Sequence, residues 1–273
     1  MKYFQIALIS GAFILLSSCG AKPTPVSEEN DDVIRSYKLI DAGRPQEAID
    51  LLEPRLRANP KRFVLKTALA SAYAARAGLR IPRFAPLVIE IVQTGTTVDP
   101  EVETKFMERL KSLRMNSAQE SRMRNTLRDI LGIADIVRRF DTLPDVTSGE
   151  VLDVKKAKAL LQDIPVEERG AHLYRSVLGA VEIRYVLRQE FVPAHFGAKR
   201  DGNCEIALKP LARDWSSVVG LANDVISDLQ VAIPGQVERI QEYAGELERL
   251  SRSLEESVEK LDYDPRTRWP CEF

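Results

Sequence analysis

Histidine and cysteine, the residues that most often carry chemistry, are scarce in this chain. There are two histidines, His172 and His195, and three cysteines, Cys19, Cys204 and Cys271, in 273 residues. Neither histidine stands at a spacing that suits a metal site or a catalytic triad, and no Gly-rich phosphate loop, nucleophile elbow or zinc motif occurs. The sequence therefore offers no catalytic residue, no metal-ligand set and no cofactor site, and it reads as a protein that is not an enzyme. An excess of one charge is missing too. Lys and Arg number 39 and Asp and Glu 40, which gives no basis for a nucleic-acid partner. The basic stretch ESRMRNTLRD, with Arg122, Arg124 and Arg128, reads as a solvated helix face. Period-two alternation is also absent, which excludes a mainly β fold.

The N-terminus carries an apolar run, Ile6 to Leu16, broken only by Ser10 and Gly11. A bilayer-crossing helix needs ~20 apolar residues, so this run is too short for a permanent span. A positive start at Lys2, about a dozen apolar residues and then small residues describe a secretory signal. Its end, Leu16-Ser17-Ser18-Cys19, resembles the lipobox of bacterial lipoproteins. The resemblance implies diacylglycerol on the Cys19 sulfur, cleavage before Cys19, and acylation of the new amino group. A thiolate suits that role because it is a strong nucleophile. Two or three acyl chains anchor durably where one holds only marginally. Gly20, not aspartate, follows Cys19. By the sorting rule of diderm bacteria, that implies the periplasmic face of the outer membrane.

Residues 1–18 thus read as a signal peptide and 19–32 as a flexible tether. Positions 20–32, GAKPTPVSEENDD, are rich in Pro and acid and poor in apolar side chains. Removing 1–18 leaves 255 residues with 38 basic and 40 acidic side chains, a net charge of −2. A chain of that length can build one large or two small cores.

Helical spacing pervades the remainder, and the expected fold class is all-α. Helix starts are marked by Asp99-Pro100-Glu101 and by capping-box spacing at Ser117-x-x-Glu120 and Thr147-x-x-Glu150. Gly43, Gly78, Pro165 and Pro234 mark stops. The spacing predicts helices over 28–42, 45–58, 62–77, 84–93, 100–113, 118–140, 149–162, 169–190, 205–232 and 236–262.

In DAGRPQEAIDLLEPRLRANP, Gly43, Ala48 and Pro60 fall where a 34-residue helix-turn-helix unit places its turn glycine, small alanine and closing proline. One period on, Leu69, Ala70 and Tyr73 occupy the corresponding positions of the next first helix. The stretch resembles tetratricopeptide repeats over about 60 residues. The resemblance implies that these residues pack helix against helix. The pattern departs from the family at Arg35 and Ser36, and Pro82 stands where the second unit's return helix wants a small residue. The expected organisation is a tetratricopeptide-like array over 33–98 followed by a helical domain over 99–273.

That second domain ends in two seamed helices. Leu211, Trp215, Val218, Ala222, Val225 and Leu229 recur at spacings of four and three. Ile240, Tyr243, Leu247, Leu250, Leu254 and Leu261 do the same beyond Pro234-Gly235. Two such helices joined by a short turn pack antiparallel. Their far ends then bring Cys204 and Cys271 together, and an exported protein favours a disulfide there. The bond would close a loop of 68 residues, worth about 4 kcal/mol in the chain-entropy account.

Three classes of function follow. One is a membrane-anchored scaffold whose helical surface holds an envelope protein or peptide. The alternative is a carrier, or partner subunit of a solute-uptake system, that encloses a small hydrophobic ligand. The third is an envelope enzyme with no motif to identify it. An enclosed apolar cavity would favour the carrier, and a shallow groove with aromatic and charged residues the scaffold.

Overall fold

Helical periodicity becomes helix almost throughout. The computed structural model describes residues 28–93, 100–101, 104, 108, 117–196, 203–206, 208–260 and 267–270. The chain is all-α, with a single short ribbon among the described residues. The helices are α1 (Glu28–Asp41), α2 (Pro45–Ala58), α3 (Phe63–Arg76), α4 (Ile81–Gln93), α5 (Ser117–Phe140), α6 (Ser148–Leu160), α7 (Arg169–Val186), α8 (Val192–His195), α9 (Leu208–Ala232) and α10 (Val237–Lys260). Most of the helix expected over 100–113 lies outside the described residues, as do Cys19 and the whole of 1–27.

Turn chemistry sets the boundaries. Gly43 and Gly78 adopt φ of 73° and 74°, a left-handed conformation that costs glycine nothing. Each closes a helix with the same pair of bonds. Arg44 N–H donates to Leu39 C=O and Gly43 N–H to Ile40 C=O, while Leu79 N–H donates to Ala74 C=O and Gly78 N–H to Ala75 C=O. α1 and α3 thus end in identical Schellman turns, with Gly78 taking the role one residue past the strict repeat position. The Thr147 capping box is complete. Thr147 Oγ1 accepts from Glu150 N–H at 3.3 Å, and the Glu150 carboxylate accepts from Thr147 N–H at 2.7 Å.

The packing of the repeat-like helices departs from expectation at one point. α1, α2 and α3 pack on one another, but the helix against the other side of α3 is α6, not α4. Arg76, at the end of α3, forks onto Asp153 near the start of α6 through Nε at 2.7 Å and Nη2 at 2.6 Å. Lys66, near the start of α3, faces Asp163 beyond the end of α6 at 3.9 Å. α6 therefore runs antiparallel to α3, in the position where the repeat expectation put α4. α4, with Pro82 and Pro86 and no small-residue face, packs on α7 and α10 instead. One buried apolar cluster consequently runs from Val33 to Leu254, and the two sides of the division expected at 98/99 share a core.

Beyond α6 the order of neighbours is α7, α9 and α10. α7 continues through a π-turn, Leu187–Phe191, into α8. Pro193 has no N–H to give Gln189 C=O, and the wider turn immediately precedes it. α9 and α10 pack together across a 3₁₀ turn at Pro234–Gln236. All seam residues expected in them are buried apart from Leu261, which lies outside the described residues. Two strands that the periodicity did not predict, β1 (Asn203–Ile206) and β2 (Thr267–Pro270), pair antiparallel just before α9 and after α10. That pairing joins the far ends of the two helices, as an antiparallel hairpin requires.

Ala48 and Ala70 are both 0 % exposed, Leu69 3 % and Tyr73 7 %. Ala48→Leu and Ala70→Leu should each overpack a helix contact and cost about 1–3 kcal/mol, read as a lowered Tm. Unchanged melting in both would refute interhelical packing at these positions. A second test concerns α5 against α10. Half-buried Asp129 accepts from Ser253 Oγ at 2.7 Å, and burial raises its pKa from 3.8 to about 6. The folded state then holds this proton more tightly than the unfolded one. Stability should fall as pH rises through the window from 3.8 to about 6. Asp129→Asn keeps an acceptor for Ser253 and should raise Tm above pH 6 while changing it little below pH 3.8; equal effects at both ends would exclude the linkage.

Candidate functional site

A groove opens where α2, α3 and α6 meet. Glu53, Leu56 and Arg57 come from α2, Lys66, Leu69 and Tyr73 from α3, and Lys156, Ala159 and Leu160 from α6, with Pro60 at the α2–α3 turn. It encloses about 600 Å³ and is open to solvent along one side. Leu56, Leu69, Ala159 and Leu160 make an apolar floor, and Arg57, Lys66 and Lys156 stand around it. Because α6 replaces a sequence-adjacent return helix, the groove draws on segments more than eighty residues apart.

Tyr73 is the fixed point. Its hydroxyl donates to Glu53 Oε1 at 2.5 Å. Its ring lies 5.1 Å from the Arg76 guanidinium carbon and 5.4 Å from the Lys156 ammonium, both measured to the ring centroid. Cations at that range are attracted by the ring quadrupole. Burial, followed by the bond to Glu53 and its charge, pushes the phenol up to about 12, so it remains a donor at any physiological pH. Arg76 is held in turn by Asp153 and by the side-chain carbonyl of Gln46. The network locks α2, α3 and α6 into one wall.

Two carboxylate–imidazole pairs lie elsewhere. Buried His172 meets Asp228 through Nδ1 at 2.8 Å, and Arg175 forks onto the same carboxylate through Nε at 2.6 Å and Nη2 at 2.5 Å. Arg175 also donates to the Leu161 and Gln162 carbonyls, tying the end of α6 to α7 and α9. His172 Nε2 is buried and has no hydrogen-bond partner. His195 meets Asp214 through Nε2 at 2.9 Å and packs edge-on to Phe191, which in turn packs against Trp215. In both pairs the carboxylate orients the ring, and no hydroxyl or thiol is hydrogen-bonded to either imidazole among the described residues. These pairs join helices. No cluster of three or more His, Cys, Asp or Glu suited to a metal ion occurs among the described residues.

A polar space of about 230 Å³ lies beside Arg175, the partner of Asp228 in the first of these pairs, and is lined by Lys158, Gln162, Asp224 and Asp228, whereas the apolar centre is tightly packed. The apolar space between Val88, Ile91, Phe140, Ala180, Val225 and Tyr243 amounts to about 10 Å³, barely the room of one water.

Of the residues expected to matter in the repeat region, Pro60, Leu69 and Tyr73 reach the groove. Ala48 and Ala70 sit in the core, and Gly43 makes its turn. Sequence periodicity missed Glu53, Arg57, Lys66 and the whole α6 wall, whose approach depends on long-range packing. Cys204 lies in β1 opposite Trp269, and Asn203 opposite Pro270, whereas Cys271 falls outside the described residues. Set against known proteins, the chain matches no family model, and neither the curated proteins nor the solved structures contain a significant match.

Proposed function

We propose that this protein is a lipid-anchored envelope scaffold that captures a partner protein in the α2/α3/α6 groove. The observation that carries the reading is the groove itself: an open, apolar-floored channel braced by Tyr73, Arg76 and Asp153. Ligand-binding cavities for small molecules run to hundreds of Å³. The apolar space at Val88, Phe140 and Tyr243 holds about 10 Å³, and the space of about 230 Å³ beside Arg175 and Asp228 is lined largely by charged and polar residues, which weighs against a hydrophobic ligand at either place. Among the described residues no helix is long and apolar enough to cross a membrane. Attachment is assigned to acyl chains on Cys19, placed by Gly20 at the outer membrane. In this reading residues 19–27 join the lipid to α1, since Glu28–Asp32, expected as part of the tether, belong to that helix and Asp32 pairs with Arg55.

The same export reading assigns a disulfide to Cys204 and Cys271. Its support is the β1–β2 pairing, which brings the backbone of Cys204 beside the strand that Cys271 follows. Thiol labelling of the native protein should modify neither residue until it is unfolded and reduced. Labelling of either one in the native, unreduced protein would reject the bond.

The scaffold reading is tested by a photocrosslinking residue placed at exposed Ala159 on the groove wall, with exposed Glu242 on α10 as control, in intact cells of the source organism. A discrete protein adduct is expected from Ala159 and not from Glu242. No adduct, or equal adducts from both, would overturn the docking site. In the same cells, Cys19→Ser should leave an unprocessed precursor that incorporates no labelled fatty acid; a variant still cleaved and still labelled would overturn the anchor.

A further inference from the structure

We infer that the α2/α3/α6 groove selects an acidic segment of its partner, with Asp or Glu carboxylates at the rim and aliphatic side chains on the floor. The inference rests on the docking reading above and adds the partner's chemistry. Between Glu53 and Glu90 the chain carries eight basic residues and no acid, in a protein with 39 basic and 40 acidic side chains in all. Some of these cations are already committed. Arg55 pairs with Asp32 at 2.6 Å and Arg76 with Asp153. On α6, Lys155 and Lys158 both face buried Glu182.

Arg57, Lys66 and Lys156 remain around the groove. Arg57 stands 3.9 Å from Glu53 with its side chain 77 % exposed, and Lys66 stands 3.9 Å from an Asp163 side chain that is 90 % exposed. Loose, solvated pairs of this kind contribute little and exchange partners easily. Lys156 rests over the Tyr73 ring. The lone carboxylate in the lining, Glu53, already accepts the Tyr73 hydroxyl. Three cations thus stand around an apolar floor against two carboxylates, Glu53 in the lining and solvated Asp163 outside it.

That combination fits an amphipathic acidic peptide. It fits an anionic bilayer less well. A bilayer would meet the cations, but it is engaged by apolar side chains that project outward, whereas Leu69 and Tyr73 lie at the bottom of the groove, 3 % and 7 % exposed.

The test uses the mature full-length protein in detergent and a fluorescein-labelled peptide of about twelve residues, rich in Glu with Leu at helical spacing. A charge-reversed peptide with Lys for Glu is the control. The acidic peptide should bind and the reversed one should not. Binding should weaken about tenfold when ionic strength rises from ~0.05 to ~0.5 M, as screening shortens the reach of the rim charges. A Lys66→Gln/Lys156→Gln variant should lose binding by about tenfold, roughly 1.4 kcal/mol, with its Tm unchanged. Ala159→Trp, which fills the groove from an exposed position, should abolish it. Equal binding of both peptides, or binding indifferent to Ala159→Trp, would overturn the inference. So would lysine-dependent binding to phosphatidylglycerol vesicles that the acidic peptide does not compete away. Should the Ala159 crosslink still yield its adduct while the acidic peptide fails, the docking site stands and the acidic preference alone is lost.

Discussion

The architecture depends on enclosing α7. From Ser176 to Arg184 every residue of that helix is buried, including Glu182 and Arg184. α6 and α9 pack against it, and α4 and α5 pack on it as well. A helix buried on all faces must let its neighbours come close, and Gly179 permits that. A Cβ there would stand 2.6 Å from Val225 Cγ2 of α9, closer than real Cβ contacts allow. The two buried charges are held from outside the helix, Glu182 by Lys155 and Lys158 of α6 and Arg184 by Asp145 at 3.1 Å. Removing one partner of such a pair strands the other in the core, at a cost of about 3–5 kcal/mol. α6 is therefore pinned to α7 by charge and to α3 by Arg76–Asp153. The position of the groove wall follows from those two attachments.

The detour between α3 and α6 gives the groove its composition. Had α4 returned against α3, the wall would have carried Pro82, Phe84 and Pro86. α6 instead presents Lys156, Ala159 and Leu160 to the groove, while Val151, Val154 and Ala157 are buried in the core. α4 and α5 close the opposite side by packing on α7 and α10. The repeat-like turn at Gly78 survives, so the chain leaves α3 as a repeat would and comes back some seventy residues later.

How much of this was legible follows from the range over which each signal acts. Helix spans, the Thr147 box, both glycine turns and the α9–α10 seam depend on residues a few positions apart, and the sequence displayed them. The packing role of Ala48, Leu69, Ala70 and Tyr73 was legible for the same reason, since a spacing pattern encodes a buried face. The partner of α3 was not, because α4 and α6 both read as helices and only the enclosure of α7 decides between them. The ribbon of β1 and β2 escaped because strands of four residues are too short for alternation to register. Of the groove, the α3 half showed in Leu69 and Tyr73, while Lys66 looked like any solvated lysine.

With about 10 Å³ left in the apolar space between Val88, Phe140 and Tyr243, that part of the core has no room for a guest. A helical array recognises through grooves between neighbouring helices, whose depth is set by small side chains at the contact. Here Ala48 and Ala70 let α2 and α3 approach, Tyr73 fills the groove's base, and its hydroxyl is bound to Glu53. The phenol occupies one oxygen of Glu53, the carboxylate in the lining, and leaves its charge in place. The same packing that stabilises these helices thus leaves Arg57, Lys66 and Lys156 around an apolar floor, with Tyr73 shared by the core and the groove.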